Sequence, residues 1–111
     1  MKTVTVIIPV FCNEESIKEL GADLLKLENS LLKVKLSLQV IFVDDGSTDR
    51  SLLNLFLIKK NLKSASIVKL TRNFGVVNAI KCAFPLIKGD CLSILAADLQ
   101  EDRNLIRLMA E

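Results

Sequence analysis

Two oxygen donors stand two positions apart in Ile94-Leu95-Ala96-Ala97-Asp98-Leu99-Gln100, where an apolar run ends in a carboxylate and then a side-chain amide. Asp98 and Gln100 are hard ligands, suited to Mg²⁺ or Mn²⁺ more than to zinc. The competing reading of Asp98 is an N-cap for the next helix, a position that Asp favours. Three other side chains could work on a charged, ring-bearing ligand. Arg72 carries a planar fork of donors that matches phosphate oxygens. Asp44 can accept hydrogen bonds from a nucleobase or ribose, and Phe11 can stack on a base. Each also has a plainer reading: Asp44-Asp45-Gly46 as a turn, Arg72 as a surface ion-pair partner, Phe11 as core.

The composition removes several chemistries. Among 111 residues there is no histidine, which excludes Ser–His and Cys–His catalysis and His-ligated zinc. Cys12, Cys82 and Cys91 are odd in number and lack metal-ligand spacing, as expected for reduced thiols of a cytoplasmic protein. A net charge of +2, with no basic block interleaved with aromatics, argues against a nucleic-acid partner. No apolar run approaches the roughly 20 residues that span a bilayer, and Thr3 to Ile8 follow the first residues without a signal-type apolar region. Neither a Walker-type lysine loop nor G-x-G-x-x-G occurs.

Positioning these groups falls to a regular alternation of elements. The chain is 50% hydrophobic and only 5% aromatic, so its core is aliphatic, which suits a parallel sheet covered by helices. A β-branched run at 4–8 stops at Pro9 and predicts a first strand. Ile17, Leu20, Leu24, Leu27 and Leu31 recur at helical spacing behind Glu14 and Glu15 in the first turn. A second strand over 38–43 runs into Asp44-Asp45-Gly46-Ser47-Thr48-Asp49, with Ser47 or Thr48 expected to cap a helix over 50–60. That helix is apolar over much of its circumference, so it is either deeply covered or faces something absent from this chain. Residues 66–70 predict a short edge strand, and a helix after Gly75 should end or kink near Phe84 because of Pro85. A fourth strand over 91–97 and a last helix bearing Leu105, Ile106, Leu108 and Met109 complete the order. The expected fold is α/β: a Rossmann-like parallel sheet of about four strands with helices on both faces. Strand ends of such a sheet share one rim, so the groups at 9–14, Asp44, Arg72 and Asp98 would converge there.

Four blocks then carry a family resemblance: Val6-Ile7-Ile8-Pro9-Val10-Phe11 with Asn13-Glu14-Glu15, Val43-Asp44-Asp45-Gly46-Ser47-Thr48-Asp49, Arg72-Asn73-Phe74-Gly75, and Gly89-Asp90 followed by Ala97-Asp98-Leu99-Gln100. In that order and spacing they resemble the family 2 glycosyltransferases of GT-A fold, in particular those that glycosylate polyprenyl phosphates. The resemblance implies that Pro9, Phe11 and Glu14 line a nucleoside pocket, that Asp44 contacts base or ribose, and that Arg72 lies near the diphosphate. It further implies that Asp98 and Gln100 hold Mg²⁺ or Mn²⁺. The donor would be a UDP- or GDP-linked sugar, transferred with inversion to a lipid-phosphate or glycan acceptor, and full-length relatives work at the cytoplasmic face of a membrane. The chain departs from the pattern in three places. Ala96 replaces the first acid of the D-x-D motif, Asp102-Arg103 replaces a Pro-Pro pair, and Cys12 shifts the Asn-Glu pair by one residue.

Such catalytic domains are about twice this length, so residues 1–111 are expected to form a single, incomplete nucleotide-sugar-binding domain without its catalytic base. Two rivals belong to other classes. A signalling receiver domain would need its acid pair after the first strand and an acceptor Asp after the third, where Leu70-Thr71-Arg72 offers none. A non-catalytic nucleotide-binding or protein-interaction module would use the apolar second helix or an uncovered sheet edge, either of which also offers a homodimer surface.

Overall fold

The computed structural model describes residues 2–12 and 14–94, the side chains of Glu14, Val76, Cys91 and Ser93 excepted. The elements alternate as expected: β1 (Lys2–Val10), α1 (Glu14–Lys33), β2 (Leu36–Asp44), α2 (Ser51–Lys59), β3 (Ala65–Lys69), α3 (Val76–Ala83) and β4 (Cys91–Ile94), with a 3₁₀ turn at Phe84–Leu86. All pairings are parallel, in the order β3-β2-β1-β4. Residues 95–97 of the expected fourth strand and the expected last helix lie outside the described residues.

Right-handed crossovers explain which helix covers which face. The chain steps from β1 to β2 to β3 in one direction, then returns to the far side of β1, and this reversal moves the crossover to the opposite face. Accordingly α1 and α2 pack on the side of Val6, Ile8, Val40 and Phe42, while α3 packs on Ile7, Ile41 and Val43. The α1 stripe of Ile17, Leu20, Leu24, Leu27 and Leu31 is wholly buried. Each such side chain contributes about 1.5–3 kcal/mol against exposure.

The thinner α3 face carries polar strand residues at its lower end. The hydroxyl of Thr5 donates to Gln39 Oε1 at 2.7 Å, and Gln39 Nε2 donates to the carbonyl of Leu86 at 2.8 Å. Backbone N–H groups of Lys88 and Gly89 donate to Gln39 Oε1 and Thr5 Oγ1. In the connection from α3 to β4 these two buried side chains satisfy Leu86, Lys88 and Gly89, and Asp90 N donates to the Thr3 carbonyl at 2.7 Å.

Some expectations are corrected. β1 does not stop at Pro9 but continues to Val10, with Pro9 opposite Val43. The Val10 carbonyl accepts from Asp45 N at 2.8 Å, so Val10 points its polar groups at β2. Alternation turns the nitrogen of Pro9 the other way, and no β1–β2 bond is lost. Neither Ser47 nor Thr48 caps α2: Arg50 occupies that position with no side-chain bond, and Asp49 Oδ1 accepts from Ser51 N at 2.9 Å. Pro85 does end α3 near Phe84, through the 3₁₀ turn. On α2 only Ser51, Leu55 and Ile58 are buried, whereas Leu53, Phe56 and Leu57 are about half exposed. An open apolar groove of about 300 Å³ runs beside them, walled by Ile17, Gly21, Leu25, Leu57 and Ile58.

Candidate nucleotide-binding rim

Three loops leave the sheet at the carboxyl ends of β1, β2 and β3, and short hydrogen bonds tie them together. From the first loop, Cys12 N donates to Ser47 Oγ at 2.9 Å, and the Cys12 thiol lies 3.6 Å from Thr48 Oγ1. Cys12 has φ of 52°, a left-handed conformation uncommon outside glycine.

The second loop is a tight turn held by Asp44, whose Oδ1 accepts from Ser47 N at 3.1 Å. Its carbonyl accepts from Leu70 N at 2.9 Å, fastening the start of the third loop. Asp44 is 1% exposed, so its carboxylate serves the turn and is closed to solvent. Asp45, 3% exposed, points to the other side of the sheet and grips the third loop directly. Oδ1 accepts from Phe74 N at 2.8 Å and Oδ2 from Gly75 N at 3.1 Å. Gly75 N is shared with Asn73 Oδ1 at 3.0 Å.

Gly46 makes the closest approach between the loops. Its φ is +76°, and a Cβ there would stand 2.5 Å from the carbonyl carbon of Arg72 and 2.7 Å from Asn73 N. Only a residue without a side chain satisfies both demands. Above this junction Arg72 is exposed, its guanidinium carbon 4.6 Å from the centroid of the Phe74 ring. At that distance the guanidinium makes a cation–π contact with the ring.

The structure therefore brings most of the expected residues together on one rim. Phe11 is 45% exposed there rather than core, Pro9 is half-buried one step below, and Arg72 stands across the Asp44 turn. Glu14 is the first residue of α1. Asp98 and Gln100 lie outside the described residues. Among the described residues, no three Cys, Asp or Glu side chains gather as a metal centre. Residue reading treated Asp45 and Ser47 as turn and cap, and missed that they bind neighbouring loops. The available signal was the glycine after a doubled acid at a strand end, since consecutive strand residues point to opposite faces.

Comparison with known proteins identifies the family. The sequence profile of glycosyl transferase family 2 matches residues 5–111. An uncharacterized glycosyltransferase of Synechocystis sp. is 30% identical over 107 residues, covering 96% of this chain and 33% of the relative. The undecaprenyl-phosphate 4-deoxy-4-formamido-L-arabinose transferase of Pseudomonas aeruginosa is 37% identical over 109 residues, covering 97% of this chain and 31% of that enzyme. Among solved structures, the mannosyltransferase PcManGT of Pyrobaculum calidifontis, in complex with GDP-Man and Mn²⁺, superposes with a TM-score of 0.76. It is 25% identical, and the match covers 96% of this chain and 31% of that protein. The chain thus spans about a third of the length of these relatives. With the profile matched over nearly its whole length, this chain belongs to glycosyl transferase family 2.

Proposed function

We propose that this chain is the donor-binding part of a sugar transferase, an incomplete single domain that holds the nucleoside diphosphate of a UDP- or GDP-linked sugar on the sheet rim. The observation that carries the reading is the union of three post-strand loops into one rim, with Phe11 and Arg72 exposed upon it. Phe11 stacks on the base, while Pro9, Glu14 and Asp44 border the nucleoside. Arg72 meets the diphosphate with charge-assisted hydrogen bonds. Asp44 reaches a ligand only as the 44–47 turn opens, because its carboxylate is engaged with Ser47 N.

Asp98 and Gln100 are the residues that would hold Mg²⁺ or Mn²⁺; such an ion supplies positive charge to a departing diphosphate. The Mn²⁺ complex of the mannosyltransferase supports a divalent ion in this role. A polyprenyl-phosphate acceptor is supported by the undecaprenyl-phosphate transferase relative, and the acceptor site and base belong to a part with no counterpart in these 111 residues. A cytoplasmic location completes the reading; among the described residues no helix is long and apolar enough to cross a membrane.

Calorimetric titration with UDP, GDP and their sugars, with and without Mn²⁺, tests it. We expect metal-dependent binding of one nucleotide family, lost in Asp98→Ala, with no sugar transfer by the chain alone. Failure to bind any nucleotide refutes the proposal. A second reading, an interaction module or homodimer, is favoured by one feature: the half-exposed Leu53, Phe56 and Leu57 on α2.

A further inference from the structure

We infer that the outer face of α2, with the lysine-bearing turn that follows it, docks on an anionic phospholipid surface. The helix carries two apolar stripes where the described fold buries one. Leu55, Ile58 and Leu62 lie on the inner side, within the core. Leu53, Phe56 and Leu57 are about half exposed. With Lys60 they recur at i, i+3, i+4 and i+7, and Lys60 keeps helical backbone angles, so the four share one line on the solvent side. Packing among the described residues gives no reason for that second stripe.

Charge decides what the face fits. From Ser51 to Ser64 the chain holds three lysines, Lys59, Lys60 and Lys63, and no acid. All three are exposed. Asn61 N and Leu62 N donate to the carbonyls of Ile58 and Lys59 at 3.0 and 3.2 Å, and Lys63 N donates to Glu28 Oε2 at 3.1 Å. These bonds tie the lysine-bearing turn to the end of the stripe. Among the described residues, the groove between the stripe and α1 has Lys18 as its one charged lining residue. Leucine and phenylalanine bordered by lysine match a bilayer interface, where the rings and branched chains enter the acyl boundary and the ammonium groups reach lipid phosphates. A second copy fits less well. Self-pairing through this face would set two groups of lysines together with no acid on α2 to oppose them. Three half-exposed side chains also fall short of the roughly 20–30 residues a side of a stable protein interface.

The test is sedimentation of the chain with vesicles of phosphatidylcholine, and with vesicles that also contain about 30% phosphatidylglycerol. No nucleotide is present, so the outcome is independent of the donor-site reading. We expect the wild type to partition at least about ten-fold more strongly onto the anionic vesicles and to lose that preference as salt is raised. Leu53→Asn combined with Phe56→Ser should weaken the anionic partition about ten-fold. Lys59→Gln, Lys60→Gln and Lys63→Gln together should bring it down to that on neutral vesicles. Both variants change exposed side chains only, and circular dichroism checks that they fold. Wild type left in the supernatant, equal partition onto the two vesicles, or either variant binding like the wild type overturns the assignment. So does a wild-type dimer in light scattering that stays off vesicles, which would give this face to a second copy.

Discussion

Gly46 is where the rim is most sensitive to a single atom. Its φ of +76° places an L-residue in the left-handed region, which costs about 1–2 kcal/mol. Independently, an added Cβ would sit 2.5, 2.7 and 2.9 Å from Arg72 C, Asn73 N and Arg72 Cα. All three are backbone atoms, so no side-chain rotation relieves the contact, and overpacking adds about 1–3 kcal/mol. Gly46→Ala should therefore lose about 3 kcal/mol, a fall in Tm of about 12–20 °C for a domain of this size. Gly46→Asn separates the two causes. Asparagine tolerates the left-handed region but carries the same Cβ, so it should still lose about 2 kcal/mol. Urea unfolding followed by circular dichroism measures both variants. A Gly46→Asn protein within about 0.5 kcal/mol of wild type, with Gly46→Ala impaired, would mean that only the backbone angle matters. The tight seating of the second loop on the third would then be wrong.

Two other perturbations probe the frame. Gln39→Leu leaves the Leu86 carbonyl and the Lys88 N–H without their buried partner and should cost about 1–3 kcal/mol in urea unfolding, with hydrogen exchange accelerated first at Lys88 and Gly89. The double variant Leu53→Asn, Phe56→Ser changes side chains that are 57% and 47% exposed. It should leave stability within about 0.5 kcal/mol. If the interaction-module reading holds, light scattering will show wild-type self-association that this variant loses; a monomeric wild type removes the homodimer.

Much of the frame was legible because burial writes periodicity into a chain. The β-branched run of β1, the uniformly apolar β2 and the three- and four-residue spacing of α1 each follow from facing a core. Lys69 suggested that β3 is an edge, and among the described residues it is one. Pro9 misled, since proline was read as a stop when its missing donor merely points away from β2. Ser47 misled for a similar reason: a hydroxyl before a helix suggests a cap, but the nearer orphan donor was Cys12 N, 35 positions away in the chain.

By itself, then, the sequence determined the described elements, their parallel pairing and the residues at the ends of the first three strands, because each depends on short-range spacing and on one handedness rule. Tertiary structure alone decided what the polar rim residues do. Asp44 and Asp45 are identical neighbours, yet one closes its own turn and the other braces a loop 29 residues on. Which unpaired N–H each carboxylate meets depends on loops that come together only after the sheet has formed, and no local pattern encodes that meeting.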